Sequence, residues 1–284
     1  MHDAARAIET AREYYNSDDA DNFYATIWGG EDIHIGLYYR NCDRNCDRDE
    51  PIAEASRRTI ARMAELAAPI DASTRVLDIG SGYAGSVRWL AAEFGCQCTA
   101  LNLSERENER GRELNAAAGL AERIAVIDGA FEALPFEDAS FDLLWSQDAF
   151  LHSGDRPQVL AEAVRVLAPG GRFVFTDPMR ADDCPEGVLD PILDRLHLTD
   201  LGSPDFYRDT LARLGLELVT FEDHSHQIAR HYGRVRAELL DRRKALAGKV
   251  SDAYVERMVK GLEHWVYGGE AGHLAWGIFV FRKP

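Results

Sequence analysis

Short apolar runs alternate with longer amphipathic stretches through the middle of the chain. The runs have the length and residue types of buried strands, and they predict strands at Arg75–Ile79, Cys98–Leu103, Ile124–Ile127, Phe141–Ser146 and Arg172–Thr176. The stretches between them have helical spacing and predict helices at Gly85–Phe94, Glu105–Ala118 and Arg156–Leu167, the last one closed by the turn residues 168–171. This alternation predicts an α/β fold with a doubly wound, mostly parallel sheet that binds its ligands at the carboxyl ends of the strands.

The pattern changes on both sides of this core. An amphipathic helix is predicted over residues 51–68, and the N-terminal stretch MHDAARAIETAREYY has a charged helical pattern. Beyond the core we predict a helix at Pro204–Leu214, a strand at Glu217–Glu222, a mainly helical stretch at Gln227–Val266 and a last strand at His273–Phe281. The seven strands then form one Rossmann-like sheet, with a helical insertion before the last strand. The predicted units are an N-terminal lid segment (1–54), a ligand-binding core (55–180) and a cap that completes the sheet (181–284).

Charge and hydropathy exclude several classes of partner. The 284 residues include 48 acidic and 32 basic ones, a formal charge of −16 that repels nucleic acid and anionic membranes. No apolar run approaches the ~20 residues that cross a bilayer, and the N-terminus has no signal-peptide core, so we expect a cytoplasmic protein. Lysine occurs at only four positions, which is typical of proteins soluble at high salt and also of an arginine-preferring genome. The oligomeric state stays open.

The cysteines and histidines do not predict a metal site. Cys42 and Cys46 belong to the tandem repeat NCDRNCDR, which is best explained as a loop duplication. We expect Cys96 and Cys98 to lie on a strand with their thiols on opposite faces, whereas zinc needs convergent thiolates. The spacing of His224, His226 and His231 would permit a metal, but a surface loop of histidines is the better explanation.

A glycine-rich turn follows the first predicted core strand. Gly80, Gly82 and Gly85 form a GxGxxG pattern between strand and helix, which is typical of nucleotide-binding turns. Asp78, two residues before the first glycine, would repel a pyrophosphate by several kcal/mol but suits an ammonium or sulfonium. A backbone-capping role for Asp78 is compatible with either ligand. The pattern therefore favours a cationic ligand without phosphate over NAD(P).

Polar or aromatic residues also follow the next two strands. Asn102 stands where a ribose-binding acid is expected in NAD enzymes, and its amide can both donate to and accept from ribose hydroxyls. Phe131 lies in the turn after the third strand, where it could stack on an adenine or fill the core.

The motifs together resemble class I S-adenosylmethionine-dependent methyltransferases over residues 55–180. The resemblance rests on the ordered segments VLDIGSGYAG, ALNLSERE, DGAFEALPFEDASFD, WSQDAFLHS and APGGRFVFTDPM. Two further segments, NFYATIWGGEDIHIGLY and TDPMRADDCPEG, make the chain similar to bacterial sarcosine/dimethylglycine N-methyltransferases over nearly its whole length, apart from the NCDR repeat. The resemblance implies methylation of sarcosine or N,N-dimethylglycine toward glycine betaine. The alternative is another small-amine or phosphobase N-methyltransferase.

The resemblance also implies which residues hold the S-adenosylmethionine cofactor. Those expected at its methionine end, sugar and adenine are Asp78, Gly80, Gly82, Asn102, Leu103, Ala130, Phe131 and Gln147. The lid segment is expected to bring three more residues onto the cofactor: Tyr24, His34 and Ile35.

Catalysis requires a neutral amine, which an acid–base group can help to generate. Asp148 and His152 are spaced i and i+4 and would face one cleft if that stretch were helical. A resemblance to phosphobase methyltransferases adds Tyr15 to this pair as a catalytic trio. A purely structural role for His152, at a helix end or holding the lid segment, is the alternative.

A methylated amine that carries a carboxylate needs aromatic faces at one end and a cation at the other. The aromatic candidates are Trp28, Tyr38, Tyr207, Tyr232 and Trp276. The candidates for the carboxylate are Arg230 and His231, followed by Arg180, and Met179 is expected to line the pocket. Each has an ordinary alternative, such as the solvated face of a helix for Arg230 or the core for Trp276.

Overall fold

A computed structural model describes residues 2–28, 31–38 and 50–284. Its main strands are β1 Arg75–Ile79, β2 Gln97–Asn102, β3 Ile124–Asp128, β4 Phe141–Gln147, β5 Leu167–Thr176, β7 Glu217–Asp223 and β9 Gly277–Arg282. They form one seven-stranded sheet in the order β3-β2-β1-β4-β5-β9-β7. The first five strands are parallel, and β9 runs antiparallel to both β5 and β7. The predicted Rossmann-like α/β fold with a mostly parallel sheet is confirmed.

The helices lie before, between and after these strands. They are α1 His2–Tyr15, α2 Asp18–Ile27, α3 Ile52–Ala67, α4 Gly85–Phe94, α5 Glu105–Ala117, α6 Arg156–Val166, α7 Asp190–Leu196, α8 Pro204–Arg213, α9 His226–Asp241, α10 Arg243–Leu246 and α11 Asp252–Glu270. Local signals explain several of the starts. Ser104 accepts a hydrogen bond from the backbone N–H of Glu107 at the start of α5, and Asp155 caps α6, where a proline follows in the first turn.

Hydrophobic side chains project from both faces of the sheet into two core clusters. In β4, Leu144 packs into one core cluster with Phe175, whereas its neighbours Leu143 and Trp145 pack into the cluster on the other face. Such near-continuous apolar strands are expected when helices cover both faces of a parallel sheet. Polar side chains that could bind a ligand are therefore expected at the ends of the strands.

Two regions pair differently from the prediction. The residues 168–171 do not form a turn after α6; β5 begins at Leu167, where the chain enters the sheet and pairs with Phe141 before a bulge. The last predicted strand is divided at Trp276: Leu274–Ala275 (β8) pairs with Met179–Arg180 (β6), and β9 starts at Gly277. Trp276 therefore lies between two strands, and its indole N–H can donate to Asp148 in the site described below.

The cysteine prediction was wrong in its geometry. Residues i and i+2 of an extended chain lie on the same face, and the Sγ atoms of Cys96 and Cys98 are 3.6 Å apart, so the two thiols converge. Cys42 and Cys46 lie outside the described residues. Within the described ranges, no cluster of three or more potential ligand side chains could hold a metal ion. No helix in those same ranges is long and apolar enough to cross a membrane.

Candidate active site

A cavity opens where the carboxyl ends of β1, β2 and β4 meet, and α1 and α2 contribute to its wall. About 1210 Å³ between its lining residues, counted out into the solvent at its mouth, is free of protein atoms. The predicted site residues that line it are Tyr15, Tyr24, Trp28, His34, Ile35, Gly80, Gly82, Asn102, Leu103, Ala130, Phe131, Gln147, Asp148, His152 and Tyr232.

The glycine turn forms a wall with no room for side chains. Gly80 has a φ of +80°, and a Cβ there would lie 2.5 Å from the Cβ of Ala149. The backbone N–H groups of Gly80 and Ser81 both donate to the carbonyl of Leu101, at 2.8 and 3.1 Å. The turn therefore brings bare backbone to the cavity, as close approach of a nucleotide-like ligand requires.

Asp78 is buried at the end of β1 but is not among the residues that line the cavity. Burial raises the pKa of its carboxyl well above the ordinary value, and the nearby Asp32 raises it further. Burial also raises the pKa of Asp32 to about 6. Asp32 can approach this closely because the third glycine of the motif, Gly85, has no side chain: a Cβ there would lie 2.0 Å from Asp32 Oδ1. Two buried acidic groups therefore lie near the turn, and Asp32, with a pKa of about 6, stays mostly ionised at neutral pH, which disfavours a phosphate ligand.

A buried amide and carboxylic acid stand together after β2. The side-chain amide of Asn102 donates to Glu107 Oε2 at 2.9 Å, and burial raises the pKa of Glu107 to about 7. Both residues line the cavity, where they could bind hydroxyl groups of a ligand. Glu107 was not predicted from the sequence, although a Ser-x-x-Glu pattern that begins at Ser104 is a signal of a helix start that includes it.

Two lining residues have buried polar atoms without partners. Gln147 Oε1 accepts hydrogen bonds from Ser86 Oγ and Trp145 Nε1, while its Nε2 has no partner among the described residues. His34 Nδ1 is also buried and without one in that part of the chain, and burial lowers the pKa of this histidine to about 4. Unsatisfied polar atoms on a cavity wall are suited to the polar atoms of a ligand.

Asp148 connects three parts of the chain at the cavity. Its Oδ2 accepts from the backbone N–H of Ile35 at 2.7 Å, and its Oδ1 accepts from Thr176 Oγ1 at 2.8 Å and from Trp276 Nε1 at 2.7 Å. Burial raises the pKa of Asp148, an effect that these donors and His34 oppose. The backbone at Asp148 is left-handed, with a φ of +53°, and a short 3₁₀ helix follows at Phe150–His152. The expected α-helical turn between Asp148 and His152 is therefore wrong, although both side chains reach the cavity.

Tyr15 and His152 form a hydrogen-bonded pair on the wall. The Tyr15 hydroxyl lies 2.8 Å from His152 Nε2, and the two rings meet edge to face with centroids 5.4 Å apart. Burial raises the pKa of Tyr15 well above its ordinary value, and burial together with Arg156 and Arg195 lowers the pKa of His152 to about 4. At neutral pH both groups are therefore uncharged.

Aromatic rings and one guanidinium complete the wall on the side of the helices. The rings of Tyr24 and Trp28 lie 5.3 Å apart, and Tyr232 stacks on Trp265 at 4.7 Å. Arg195 is the only arginine or lysine among the described residues of the lining. Sequence reasoning missed both Trp265 and Arg195, because Trp265 has ordinary core spacing and an arginine in the last turn of α7 is expected from the helix dipole alone.

The remaining predicted residues lie outside the lining. Met179 and Tyr207 are fully buried in the core, where the Tyr207 hydroxyl donates to Asp177 Oδ2 at 2.7 Å. His231 is fully buried too, so the expectation that it belongs to a surface loop was wrong. Those that the structure does not bring to the cavity wall are Tyr38, Asp78, Met179, Arg180, Tyr207, Arg230, His231 and Trp276.

Some of these residues hold the segment that lines the cavity. His231 Nδ1 accepts from the backbone N–H of Gly36 at 3.2 Å and lies 3.0 Å from the Tyr38 hydroxyl, and the guanidinium of Arg230 lies 5.4 Å from the centre of the Tyr38 ring. They therefore fix residues next to His34 and Ile35, rather than forming the cavity wall themselves.

Comparison with known proteins gives one consistent family. A family model described as "Methyltransferase domain" matches residues 77–175. The sarcosine/dimethylglycine N-methyltransferase of Halorhodospira halochloris is 62% identical over 98% of this chain and 97% of its own length, and that of Aphanothece halophytica is 49% identical over 100% of both. A crystal structure from Galdieria sulphuraria, assigned to a sarcosine dimethylglycine methyltransferase, has a TM-score of 0.88 and 41% identity over 95% of this chain and 98% of that one. The chain belongs to the sarcosine/dimethylglycine N-methyltransferase family of class I S-adenosylmethionine-dependent methyltransferases.

Proposed function

We propose that this protein transfers methyl groups from S-adenosylmethionine to the nitrogen of sarcosine and of N,N-dimethylglycine, forming dimethylglycine and glycine betaine. Relatives whose names state this activity match the chain over nearly its full length. The observation that carries the proposal is the division of the cavity wall, which has a bare glycine turn with acidic groups nearby on one side and aromatic rings with an uncharged Tyr–His pair on the other.

The residues at the sheet edge suit the methyl donor. S-adenosylmethionine supplies a methyl group on a sulfonium, so the enzyme mainly has to position it against the acceptor. The bare turn at Gly80 and Gly82 leaves room for close approach, and Asn102 with Glu107 can bind ribose hydroxyls. The unpartnered Gln147 amide can donate to a carboxylate, and Asp148, which accepts three hydrogen bonds, would in its ionised form favour a cationic centre nearby.

The other side of the cavity suits a small amine. An aliphatic ammonium has a pKa near that of lysine, about 10.4, so the amine is mostly protonated in water. Burial favours its neutral form, and the uncharged pair of Tyr15 and His152 offers hydrogen-bonding atoms without adding a charge. The rings of Tyr24, Trp28 and Tyr232 can stabilise the positive charge that the nitrogen gains as the methyl group arrives.

Two alternatives fit the wall less well. A phosphobase acceptor requires several cations for its phosphate, whereas the described lining contains Arg195 as its single arginine or lysine. A nicotinamide dinucleotide would place its pyrophosphate beside the glycine turn, where the acidic side chains of Asp78 and Asp32 are unfavourable neighbours for a phosphate.

Residues 1–54 would act as a lid segment over both ligands, because Tyr15, Tyr24 and Trp28 already line the cavity. The protein would act in the cytoplasm.

The proposed function is tested by mass spectrometry of products formed with methyl-labelled S-adenosylmethionine. Glycine, sarcosine, N,N-dimethylglycine and phosphoethanolamine are offered in parallel to the purified protein. We expect labelled dimethylglycine from sarcosine and labelled betaine from dimethylglycine. Labelled product from phosphoethanolamine alone, or from none of the four, would contradict the proposal.

A further inference from the structure

Arg195 occupies a distinctive place in the wall of the cavity. It lies in the last turn of α7, is half-buried and lines the side where the aromatic rings and the Tyr15–His152 pair are found. Of the arginines and lysines that the structure describes, it alone reaches this wall. The same side chain also lines an outer cleft that Arg257 and the lid segment border, so it stands between that cleft and the cavity.

Its guanidinium is held in place but not neutralised. One nitrogen, Nη1, lies 3.2 Å from the Sδ of Met258, a weak acceptor, while the buried Nε has no hydrogen-bond partner among the described residues. The ion pairs found in that part of the chain do not include Arg195, although most of its other arginines contact a carboxylate. A partly buried guanidinium with free donors is costly unless an anion binds it.

A glycine in the neighbouring helix makes room for this side chain. Gly261 lies inside α11, where glycine is unfavourable relative to alanine. A Cβ at Gly261 would lie 2.3 Å from Arg195 Cδ and 2.5 Å from its Nε. The arginine therefore runs across the bare backbone of α11, and the two residues form one structural unit.

We propose that Arg195 binds the carboxylate of the amine acceptor, with Gly261 as the positioning residue that admits its side chain. The inference rests on the proposed function, because sarcosine and dimethylglycine both carry a carboxylate one carbon from the nitrogen. The planar guanidinium can donate two parallel hydrogen bonds to such a group. The carboxylate would then lie at the boundary with the outer cleft while the amine points toward the rings and the methyl donor. Arg195 is thus a determinant of substrate specificity, and Arg230 and His231 are not needed for it.

The test compares two acceptors that differ in this one group, N,N-dimethylglycine and its neutral amide, N,N-dimethylglycinamide. For Arg195→Gln we expect KM for dimethylglycine to rise about 10- to 100-fold, the value of a charge-assisted hydrogen bond, while KM for the amide and the affinity for S-adenosylhomocysteine stay unchanged. Gly261→Ala should shift KM in the same direction, because its Cβ displaces the arginine while alanine favours the helix. Arg257→Gln is the matched control: this arginine lines only the outer cleft, and its loss should leave both KM values unchanged.

Unchanged KM for dimethylglycine in Arg195→Gln, or equal losses for both acceptors, would overturn the proposal. If Arg195→Gln fails to bind S-adenosylhomocysteine, Gly261→Ala decides by the same comparison. Failure of the unmodified protein to methylate dimethylglycine would instead refute the proposed function, and with it the proposal that Arg195 binds the carboxylate of the acceptor. The two failures are therefore distinguishable.

Discussion

The hydroxyl of Tyr15 lies 2.8 Å from Nε2 of His152, across 137 residues of sequence. This contact ties the end of α1 to the segment that follows β4, so one hydrogen bond joins the lid segment to the sheet edge. Burial keeps both groups uncharged at neutral pH, since it raises the pKa of Tyr15 and lowers that of His152 to about 4. The pair can therefore orient an amine without repelling the cation that it becomes.

The first prediction concerns the coupling of this pair. Tyr15→Phe and His152→Gln should each lower kcat/KM for dimethylglycine by about 10-fold or more, because each removes one partner of a buried hydrogen bond. In the double variant the losses should not add, with an interaction energy within the range of about 0.5–3 kcal/mol found for residues in contact. Steady-state kinetics on the four proteins measures this cycle.

Tyr14→Phe serves as the matched control for that cycle. Tyr14 is next to Tyr15 in α1, but its hydroxyl contacts those of Tyr24 and Tyr254, and its side chain does not line the cavity. Its variant should be additive with His152→Gln. Full additivity of Tyr15→Phe with His152→Gln would show that the pair does not act as a unit.

The second prediction concerns stability in acid. Because the pKa of His152 is lowered from 6.5 to about 4, folding favours its neutral form. The stability that this preference gives to the folded protein is fully present above pH 6.5, and it is lost progressively as the pH falls from 6.5 through about 4. At pH 5 His152 is protonated in the unfolded chain but still neutral in the folded protein. This residue should therefore lower the free energy of unfolding by about 2 kcal/mol relative to pH 8.

That contribution is isolated by comparing unfolding free energies of the unmodified protein and His152→Gln in denaturant at pH 8 and pH 5. Buried acids with raised pKa values, such as Glu107 and Asp177, act in the opposite direction but are common to both proteins. The unmodified protein should therefore lose more stability than the variant. Equal losses would mean that His152 titrates alike in both states of the chain.

The third prediction concerns Asp148 as a structural anchor of the site. Asp148→Asn replaces one acceptor oxygen by a donor, which leaves at least one of the groups on Ile35, Thr176 and Trp276 without its partner. We expect a loss of about 2–3 kcal/mol in unfolding free energy. Asp183→Asn, at an exposed position, should change stability by less than about 0.5 kcal/mol. If denaturant titrations gave the two variants equal free energies of unfolding, the structural role of Asp148 would be refuted.

The fourth prediction concerns the glycine turn. Gly80→Ala adds a Cβ 2.5 Å from that of Ala149 at a φ of +80°, so both the turn and the cofactor affinity should suffer. Gly119→Ala is the control: its φ is +71°, with nothing within 4 Å of the new Cβ. It should cost about 1–2 kcal/mol of stability from backbone strain and leave S-adenosylhomocysteine binding unchanged. Equal affinities of the two variants in a binding titration would contradict the role of the turn.

Local patterns were sufficient for most of the fold. The apolar period, the glycine turn and the helix caps are set by neighbouring residues, and α4 and β1 were predicted to the residue. The strand β5 was misjudged at its start because pairing with β4 outweighed the turn propensity of residues 168–171. The thiols of Cys96 and Cys98 were misplaced because residues two apart in an extended chain share a face, and their Sγ atoms lie 3.6 Å apart.

The site was predicted unevenly for a physical reason. Residues at strand ends, such as Asn102 and Gln147, are placed by the sheet itself, so sequence order reveals them. The helical side of the cavity depends on how α7, α9 and α11 pack together, which no local spacing encodes. Arg230 and His231 were therefore expected at the cavity wall, whereas Arg195 and Trp265 line it.

The central claim is that the glycine turn and its acidic neighbours hold a cationic methyl donor and not a phosphate-bearing redox cofactor. Isothermal titration calorimetry of the purified protein with S-adenosylmethionine, S-adenosylhomocysteine, NAD⁺ and NADP⁺ tests it most directly. We predict saturable binding of the two adenosyl compounds and no heat with either dinucleotide. Binding of a dinucleotide, with no response to the adenosyl compounds, would contradict the account.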